Sequence, residues 1–232
     1  MASFDRPPTL DRRLAKKRLV VSVPSKHAAA EADQLSLFAR HGQHPRLGSA
    51  RVLVTNGSGG SSADRVCLRP ARASDEQILR TTHRAMARDD GFDFALGLTA
   101  AMSWPEYLAA LENYRHGINL PAGIVPATFL LATVADVIVG RASIRHTLND
   151  YLRQRGGHIG YAVLPEHRRR GYGTQILRRS IPIAQQLGIG DILISCDETN
   201  TGSRRIIESC AGQLESRLTW SDGTRILRYW IT

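Results

Sequence analysis

The pattern of hydrophobic and polar positions changes near residue 65. From there to the C-terminus, short runs rich in apolar and β-branched residues alternate with stretches in which apolar residues recur every three or four positions. The first pattern predicts strands and the second predicts helices. The predicted strands cover residues 66–70, 127–133, 137–146, 158–164, 191–196, 213–220 and 224–231. The predicted helices cover residues 74–88, 103–114, 171–187 and 201–210.

Local signals mark several of these boundaries. In residues 74–77, and again in residues 103–106, a Ser is followed three positions later by Gln or Glu, which is the spacing of a helix capping box. Asp136 and the Ser-Asp-Gly at 221–223 each separate two β-prone runs, and this predicts two hairpins. The strongly apolar run at 191–196 is typical of a buried, parallel strand.

The order of these elements predicts an α/β domain. Along the chain it reads strand, helix, helix, three strands, helix, strand, helix and two final strands. One twisted, mixed sheet of about seven strands, flanked on both faces by about four helices, fits this order. We expect that domain to span residues 65–232, and the segment before it to be a separate extension.

Residues 1–64 differ from the rest of the chain. They hold all three lysines and a dense basic cluster at residues 12–18, and they end in a Gly- and Ser-rich stretch typical of a flexible linker. A short helix over residues 31–40 is compatible with the pattern. The segment has too little patterned apolar surface to offset the entropy of ordering it, so we expect a disordered, basic extension. An arm that touches RNA or a membrane is the alternative.

The composition is that of a globular protein with an excess of positive charge. The formal net charge is +10 and the pI is about 10.2. This favours nucleic acid, a membrane surface or an anionic ligand such as a phosphate as the partner. Aromatic residues make up only 6% of the chain, and no strand interleaves basic and aromatic positions. Nucleic acid is therefore the weaker candidate, because single-stranded recognition depends on aromatic stacking surfaces.

The cysteines and the N-terminal pattern bear on compartment and cofactors. The three cysteines are too far apart for a metal-binding knuckle, so we expect reduced thiols, no metal ion and a cytoplasmic location. The longest early apolar run, residues 19–23, is too short for a signal peptide or a membrane span. On this basis we expect no membrane partner.

Residues 163–174 carry the strongest chemical signal. A predicted strand ends there, a basic and glycine-rich turn follows, and a predicted helix begins. The first N–H groups of a helix lack intrahelical partners and lie at the positive end of its dipole, so a diphosphate placed there accepts several of them. Gly171 and Gly173 allow the backbone a close approach. The segment lacks the Gly-Lys-Ser/Thr of a P-loop and the third glycine of a dinucleotide fingerprint.

Two segments together carry a family resemblance. Arg168-x-x-Gly171-x-Gly173 resembles the Arg/Gln-x-x-Gly-x-Gly/Ala signature of the GNAT superfamily of acetyl-CoA-dependent N-acetyltransferases. Residues 200–212 are similar to that family's Asn-x-x-Ser…Glu…Gly pattern. The resemblance covers about residues 65–232, and it implies the GNAT fold with acetyl-CoA as co-substrate. Further segments resemble a bacterial branch of predicted acetyltransferases: residues 117–121, 144–149, 157–161 and 228–230.

The resemblance also implies which residues hold acetyl-CoA. In this family the fourth and fifth strands splay apart, and the pantetheine arm pairs with exposed backbone of the fourth strand. The matching strand positions are Ala162, Val163 and Leu164. The diphosphate would lie on the loop formed by Arg168, Arg169, Arg170, Gly171, Tyr172, Gly173 and Thr174. Asn200 and Ser203 would touch the cofactor arm or cap the following helix, and for Ser203 we expect the capping role.

The reaction that the resemblance implies is direct attack of a primary amine on the thioester, in a ternary complex. A backbone N–H near Val163 would stabilise the tetrahedral intermediate. Many family members protonate the leaving thiolate with a Tyr on the last helix, but the matching position here is Ile207. Tyr161 and Cys210 are the alternative acids. The acceptor is a small molecule or a protein, and we expect a monomer or a homodimer.

Two histidines are the candidate general bases. His158 shares a strand face with residues 160 and 162, and His146 ends the neighbouring predicted strand. Titration near neutral pH singles them out, yet either one fits a structural, hydrogen-bonded role as well. Solvent and proximity alone are a third option. Because Ile207 replaces the usual acid, a degenerate domain that binds acyl-CoA without turnover is the main alternative function, and a basic nucleic-acid-binding protein is the other.

Overall fold

The computed structural model describes residues 65–220 and 222–232, so the N-terminal extension and its short helix at 31–40 lie outside the described residues. The strands are β1 (Cys67–Arg69), β2 (Ala127–Val134), β3 (Val137–Arg145), β4 (Ile159–Val163), β5 (Ile192–Asp197), β6 (Gln213–Thr219) and β7 (Arg225–Ile231). The α-helices are α1 (Glu76–Asp90), α2 (Trp104–His116), α3 (Asp150–Gln154), α4 (Tyr172–Gln186) and α5 (Thr201–Ser209). The predicted strands and helices are confirmed, with boundaries that differ by a few residues.

The two predicted capping boxes have different outcomes. At α2 the box is confirmed: the Ser103 N–H donates to Glu106 Oε2 over 2.8 Å, and the Glu106 N–H donates to Ser103 Oγ over 3.4 Å. At residues 74–77 the prediction is wrong, because a 3₁₀ turn occupies Ala73–Asp75. Asp75 there accepts the Arg72 N–H over 2.7 Å and pairs with a neighbouring arginine. The five-residue helix α3 is too short to show a helical period in the sequence.

The strands form two antiparallel sheets in place of the single mixed sheet that was expected. The first has the order β1-β2-β3-β4 and the second the order β5-β7-β6. The strand at 191–196, expected to be parallel, pairs antiparallel with β7. The two sheets meet at the start of β4, where Gly157 forms a bridge with Ile194 and the His158 N–H donates to the Leu193 carbonyl over 2.7 Å. Past this junction β4 and β5 belong to different sheets.

Helices cover both faces of the first sheet, as predicted. Because side chains alternate along a strand, β4 presents Tyr161 and Val163 to one face and Ala162 and Leu164 to the other. The first pair packs in the core under α4 and α5, and the second pair packs in the core under α1 and α2. The β4 strand therefore lies between two hydrophobic cores, and its C-terminal end leads into the glycine-rich loop.

Candidate functional site

The loop between β4 and α4 has the backbone shape that its glycines predict. Gly171 precedes α4 with a φ of 77°, and Arg169 has a φ of 67°. A side chain at Gly171 would meet no atom within 4 Å, so backbone conformation, not space, favours glycine there. Gly171 also gives α4 no side-chain cap. The first N–H groups of α4, which the helix itself cannot pair, therefore need another acceptor.

Gly173, the second glycine of the loop, allows close packing between two helices. A Cβ at Gly173 would lie 2.8 Å from Cδ1 of Ile206 and 3.6 Å from Cγ2 of Val163. Gly173 therefore lets the first turn of α4 pack closely against α5. Thr174 follows at the third helical position, half-buried, and its carbonyl lies 3.9 Å from the Sγ of Cys210.

Arg168 has a different role from the one expected. Its Nη2 pairs with Asp90 Oδ2 over 2.6 Å, and its Nε donates to the Val163 carbonyl over 3.2 Å. Its own N–H donates to the Pro165 carbonyl over 3.3 Å. The side chain thus joins the loop to the end of α1 and to β4, which positions the loop. Arg169 and Arg170 are exposed.

In β4, the backbone N–H and C=O groups of alternate residues point away from β3. The Leu164 N–H donates to the Val139 carbonyl over 2.9 Å, and the His158 carbonyl accepts the Arg145 N–H over 2.7 Å. In an antiparallel pair, alternate residues face the partner strand. Residues 160, 162 and 164 therefore bond to β3, which excludes Ala162 and Leu164 from the expected backbone contacts. The backbone groups of Tyr161 and Val163 point to the other edge of β4, toward the gap beside β5.

The second motif, residues 200–212, contains a helix cap, but Asn200 forms it and Ser203 does not. Asn200 Oδ1 accepts the Ser203 N–H over 3.0 Å, so Asn200 caps α5. The Ser203 hydroxyl lies 2.9 Å from the Tyr161 hydroxyl, in a fully buried contact that joins α5 to β4. Burial raises the pKa of Tyr161, and the bond to Ser203 opposes this only in part. Ser203 is therefore not the cap that was expected.

The expected acid positions on α5 are buried. Ile207, at the position of the family's Tyr, is fully buried in the core under α4 and α5. Cys210 is buried as well. Burial raises the pKa of the neighbouring Cys196 thiol to about 12, with Asp197 adding to the effect. The structure therefore places no exposed proton donor at these two positions.

His158 holds the two sheets together. The Nδ1 atom of its ring accepts the Leu193 N–H over 2.9 Å, and its backbone N–H donates to the Leu193 carbonyl. A neutral imidazole has one unprotonated nitrogen, and this bond uses it. Burial lowers the pKa of His158 to about 4, and the charges of Arg145 and Arg153 add to the shift. The ring is thus a structural acceptor, and this geometry opposes the predicted role as general base.

His146 keeps more of the character of a base. Its Nε2 lies 2.8 Å from the Thr128 hydroxyl, which can donate or accept. Its N–H donates to the Pro126 carbonyl over 2.8 Å. Burial lowers the pKa of His146, and the charges of Arg115 and His116 contribute, so the ring is neutral at pH 7. A neutral imidazole with an adaptable partner is the form that proton abstraction requires.

Two arginines beside β4 were missed by the sequence reading. The Nη1 atoms of Arg145 and Arg141 lie 3.6 Å and 3.8 Å from the point that a Cβ of Gly160 would occupy. Arg141 is in register with residue 162, and Ser143 is in register with Gly160, so these side chains share the α1–α2 face. Polar residues at alternate positions of an otherwise apolar strand were the signal that could have found them.

The described residues show neither a metal-binding cluster nor a membrane-spanning helix. Among residues 65–220 and 222–232, no group of three or more His, Cys, Asp or Glu side chains has the arrangement of a metal site. No helix in the same part of the chain is long and apolar enough to span a membrane.

Solved structures share this fold. RimJ of Mycobacterium smegmatis, in complex with CoA-disulfide, matches with a TM-score of 0.53 and 20% identity, over 73% of this chain and 83% of its own. The protein yncA of Salmonella typhimurium, with its cofactor acetyl-CoA, matches with a TM-score of 0.50 and 17% identity, over 72% and 93%. The microcin C7 self-immunity acetyltransferase MccE, in complex with acetyl-CoA and AMP, gives 0.51 and 16%, over 76% and 97%.

The sequence comparisons point to one family. No curated protein sequence matches the chain. The model of the GNAT acetyltransferase domain matches residues 65–213, which is more than half of the chain. The loop, the second motif and the strand order described above all lie within or beside that match. The chain therefore belongs to the GNAT acetyltransferase family.

Proposed function

We propose that this protein is an N-acetyltransferase that transfers the acetyl group of acetyl-CoA to a primary amine. The observation that carries the proposal is the uncapped N-terminus of α4, which follows Gly171 and lies beside the exposed Arg169 and Arg170. The diphosphate of the co-substrate would accept the N–H groups of Tyr172, Gly173 and Thr174. Each charge-assisted hydrogen bond contributes about 1.5–3 kcal/mol. The structures of yncA with acetyl-CoA and of MccE with acetyl-CoA and AMP share this fold and support acetyl-CoA as the co-substrate.

The gap beside β4 suits the pantetheine arm. The backbone groups of Tyr161 point to the edge where β4 leaves β5, so an amide-containing chain can pair with them as an added strand would. The Val163 N–H at the same edge then stays available to the reacting carbonyl. The junction at His158 closes this gap at one end. The arm would run from the loop toward that junction and bring the thioester beside the middle of β4.

The reaction is attack of a neutral amine on the thioester carbonyl. The C–N bond forms, the carbonyl oxygen gains charge, and the C–S bond breaks when the tetrahedral intermediate collapses. An ammonium group with a pKa near 10 must first lose a proton, which costs about 4 kcal/mol at pH 7. A second proton leaves the nitrogen after attack and reaches the thiolate or the solvent. The Val163 N–H would stabilise the oxyanion.

His146 is our candidate base for the first proton. It is neutral at pH 7, whereas His158 uses its lone pair on Leu193. We propose that the second proton reaches the thiolate through solvent, because Tyr161 and Ile207 are buried. The pH profile of kcat/KM tests the base: the rate of the unmodified chain should be level above the pKa of the imidazole, whereas that of His146→Gln should fall with the neutral fraction of the amine over the whole range below the amine pKa. An unchanged profile rejects the assignment.

One alternative has a specific observation behind it. The buried Ile207 leaves α5 without the family's usual acid, which favours a domain that binds acyl-CoA without turnover. Release of CoA thiol from acetyl-CoA in the presence of an amine panel separates the two functions. Tight binding with no thiol release above the solvent rate would support the non-catalytic domain.

The binding site itself is tested by one matched pair of substitutions. Thr174→Asp places a carboxylate in the first turn of α4, which suits the helix dipole but opposes a diphosphate at the same N–H groups. Thr174→Asn has nearly the same shape without the charge. We expect Thr174→Asp to weaken acetyl-CoA binding in calorimetry by at least about tenfold, because the charges lie close together. Thr174→Asn should bind within about threefold of the unmodified chain, and equal affinities for both variants would reject the site.

A further inference from the structure

Two positive charges converge on the middle of β4. Arg141 and Arg145 of β3 place their Nη1 atoms 3.8 Å and 3.6 Å from the Cβ position of Gly160. A single carbon at that point would be in van der Waals contact with both Nη1 atoms, so the two guanidinium groups border the same point beside β4. Arginine binds planar oxyanions such as carboxylate and phosphate through two parallel N–H donors. The pair thus has the charge and the donor geometry to hold one oxyanion.

Contacts within the fold restrain both arginines. Arg145 donates from Nη1 to the Gly157 carbonyl over 3.1 Å, which uses one of five N–H donors on its guanidinium. The guanidinium carbon of Arg141 lies 4.9 Å from the centre of the Phe92 ring, a cation–π contact. These contacts fix the direction of both side chains in advance of any ligand, which lowers the cost of binding one.

A buried hydroxyl lies in the core on the same face of β4. The hydroxyl of Tyr107 on α2 is fully buried and has no hydrogen-bond partner among the described residues. Burial raises the pKa of Tyr107, and the charge of Arg141 opposes this in part. A buried donor without a partner is costly in a folded protein, and a bound oxyanion would satisfy it.

The position of the pair relates it to the reaction. The side chains of Arg141 and Arg145 lie on the α1–α2 face of β4, whereas α4, whose N-terminus holds the proposed diphosphate site, packs on the opposite face. An acyl group that reaches the middle of β4 through the gap can be approached by a second substrate from the α1–α2 face. The arginines would then lie beside the incoming amine.

We propose that the acceptor is an amine that also carries an oxyanion, a carboxylate or a phosphate, and that Arg141 and Arg145 bind this group. This inference rests on the proposed acetyltransferase function and names its substrate class. The positive pair orients the acceptor and also disfavours polyamines, since a second ammonium group would lie against two guanidinium groups.

Matched pairs of amines test the inference. The initial rate of CoA release is measured with saturating acetyl-CoA for glycine against glycinamide, glutamate against glutamine, and phosphoethanolamine against ethanolamine, with spermidine as a polycation. Rates are normalised to the deprotonated fraction of each amine. We expect kcat/KM to be at least about tenfold higher for the charged member of one or more pairs, which corresponds to about one charge-assisted hydrogen bond. The amino acid pairs test a carboxylate, and the phosphoethanolamine pair tests a phosphate.

Variants of the arginines locate the effect. Arg145→Gln and Arg141→Gln should reduce the preference for the charged amine to within about twofold, mainly through KM, because one charge-assisted contact is lost. Arg145→Lys should retain part of it, and Gly160→Ala, which fits without a clash, should reduce it by placing a methyl group against both Nη1 atoms. Arg217→Gln, on an exposed part of β6, is the control and should leave the preference unchanged.

The outcomes separate this inference from the proposed function. Acetyl-CoA affinity in calorimetry should be the same for the Gln variants and the unmodified chain, which also shows that they fold. Turnover with equal or higher rates for the neutral or polycationic amines, or a preference that survives both Gln substitutions, overturns the inference and leaves the acetyltransferase standing. Absence of turnover with any charged amine also overturns it. Failure to bind acetyl-CoA at all overturns both.

Discussion

The imidazole of His158 accepts the backbone N–H of Leu193 over 2.9 Å, and this bond joins the two sheets where β4 begins. The partner strand β5 then leaves β4, so the bond marks the closed end of the gap in which we place the thioester arm. A Cβ at the adjacent Gly157 would lie 2.3 Å from the Leu193 carbonyl, so the backbones approach closely here. A histidine predicted to act in catalysis thus determines the shape of the site.

The pH dependence of stability should show this role. Burial lowers the pKa of His158 from 6.5 to about 4, so between these values the unfolded chain takes up a proton that the folded chain does not. The stabilisation is complete above pH 6.5 and is lost as the pH falls toward 4. Because the ring is half-buried, solvent screening reduces the effect to about 1 kcal/mol. Urea unfolding of the unmodified chain and His158→Gln measures it, and a difference that stays constant from pH 7 to pH 4 would contradict the assignment.

The ion pair between Arg168 and Asp90 predicts a coupling between α1 and the loop. Both side chains are largely buried, and their oxygen and nitrogen atoms lie 2.6 Å apart. In a double-mutant cycle of Arg168→Ala and Asp90→Ala, we expect a coupling free energy of about 1–2 kcal/mol, between the values for exposed and buried pairs. Asp90→Asn should also weaken acetyl-CoA binding, although Asp90 lies at the end of another helix. Additive effects on the free energy of unfolding would show that the pair does not hold the loop.

Some features of the site were readable from local spacing, and others depend on distant parts of the chain. The glycine at 171 and the cap at Asn200 follow from patterns within a few residues. The partner of Arg168 is 78 positions away, and the partner of His158 is 35 positions away, so no local pattern shows them. The division into two sheets likewise depends on where β4 and β5 separate, which side-chain alternation within one strand does not determine.

Packing between α4 and α5 predicts that a substitution at Gly173 can be compensated by a smaller side chain at Ile206. A Cβ there would lie 2.8 Å from Cδ1 of Ile206, the far end of a flexible side chain. We expect Gly173→Ala to lower the free energy of unfolding by about 1–2 kcal/mol, as overpacking does. Ile206→Val removes that methyl group. The double variant should therefore have nearly the same free energy of unfolding as Ile206→Val alone. Thermal unfolding of the four proteins measures this, and a double variant with simply additive losses would exclude the contact as the cause.

Substitutions at the buried contact between Tyr161 and Ser203 distinguish a structural role of Tyr161 from a role as acid catalyst. Tyr161→Phe removes the hydroxyl and leaves Ser203 without its partner, so we expect a loss of about 1–2 kcal/mol in the free energy of unfolding. Because burial raises the pKa of Tyr161 and its hydroxyl faces α5, kcat should stay within about threefold of the unmodified enzyme. Ser203→Ala is the matched control, since it breaks the same bond from the other side. A fall in kcat of about a hundredfold for Tyr161→Phe, with Ser203→Ala unaffected, would instead identify Tyr161 as the acid that protonates the leaving thiolate.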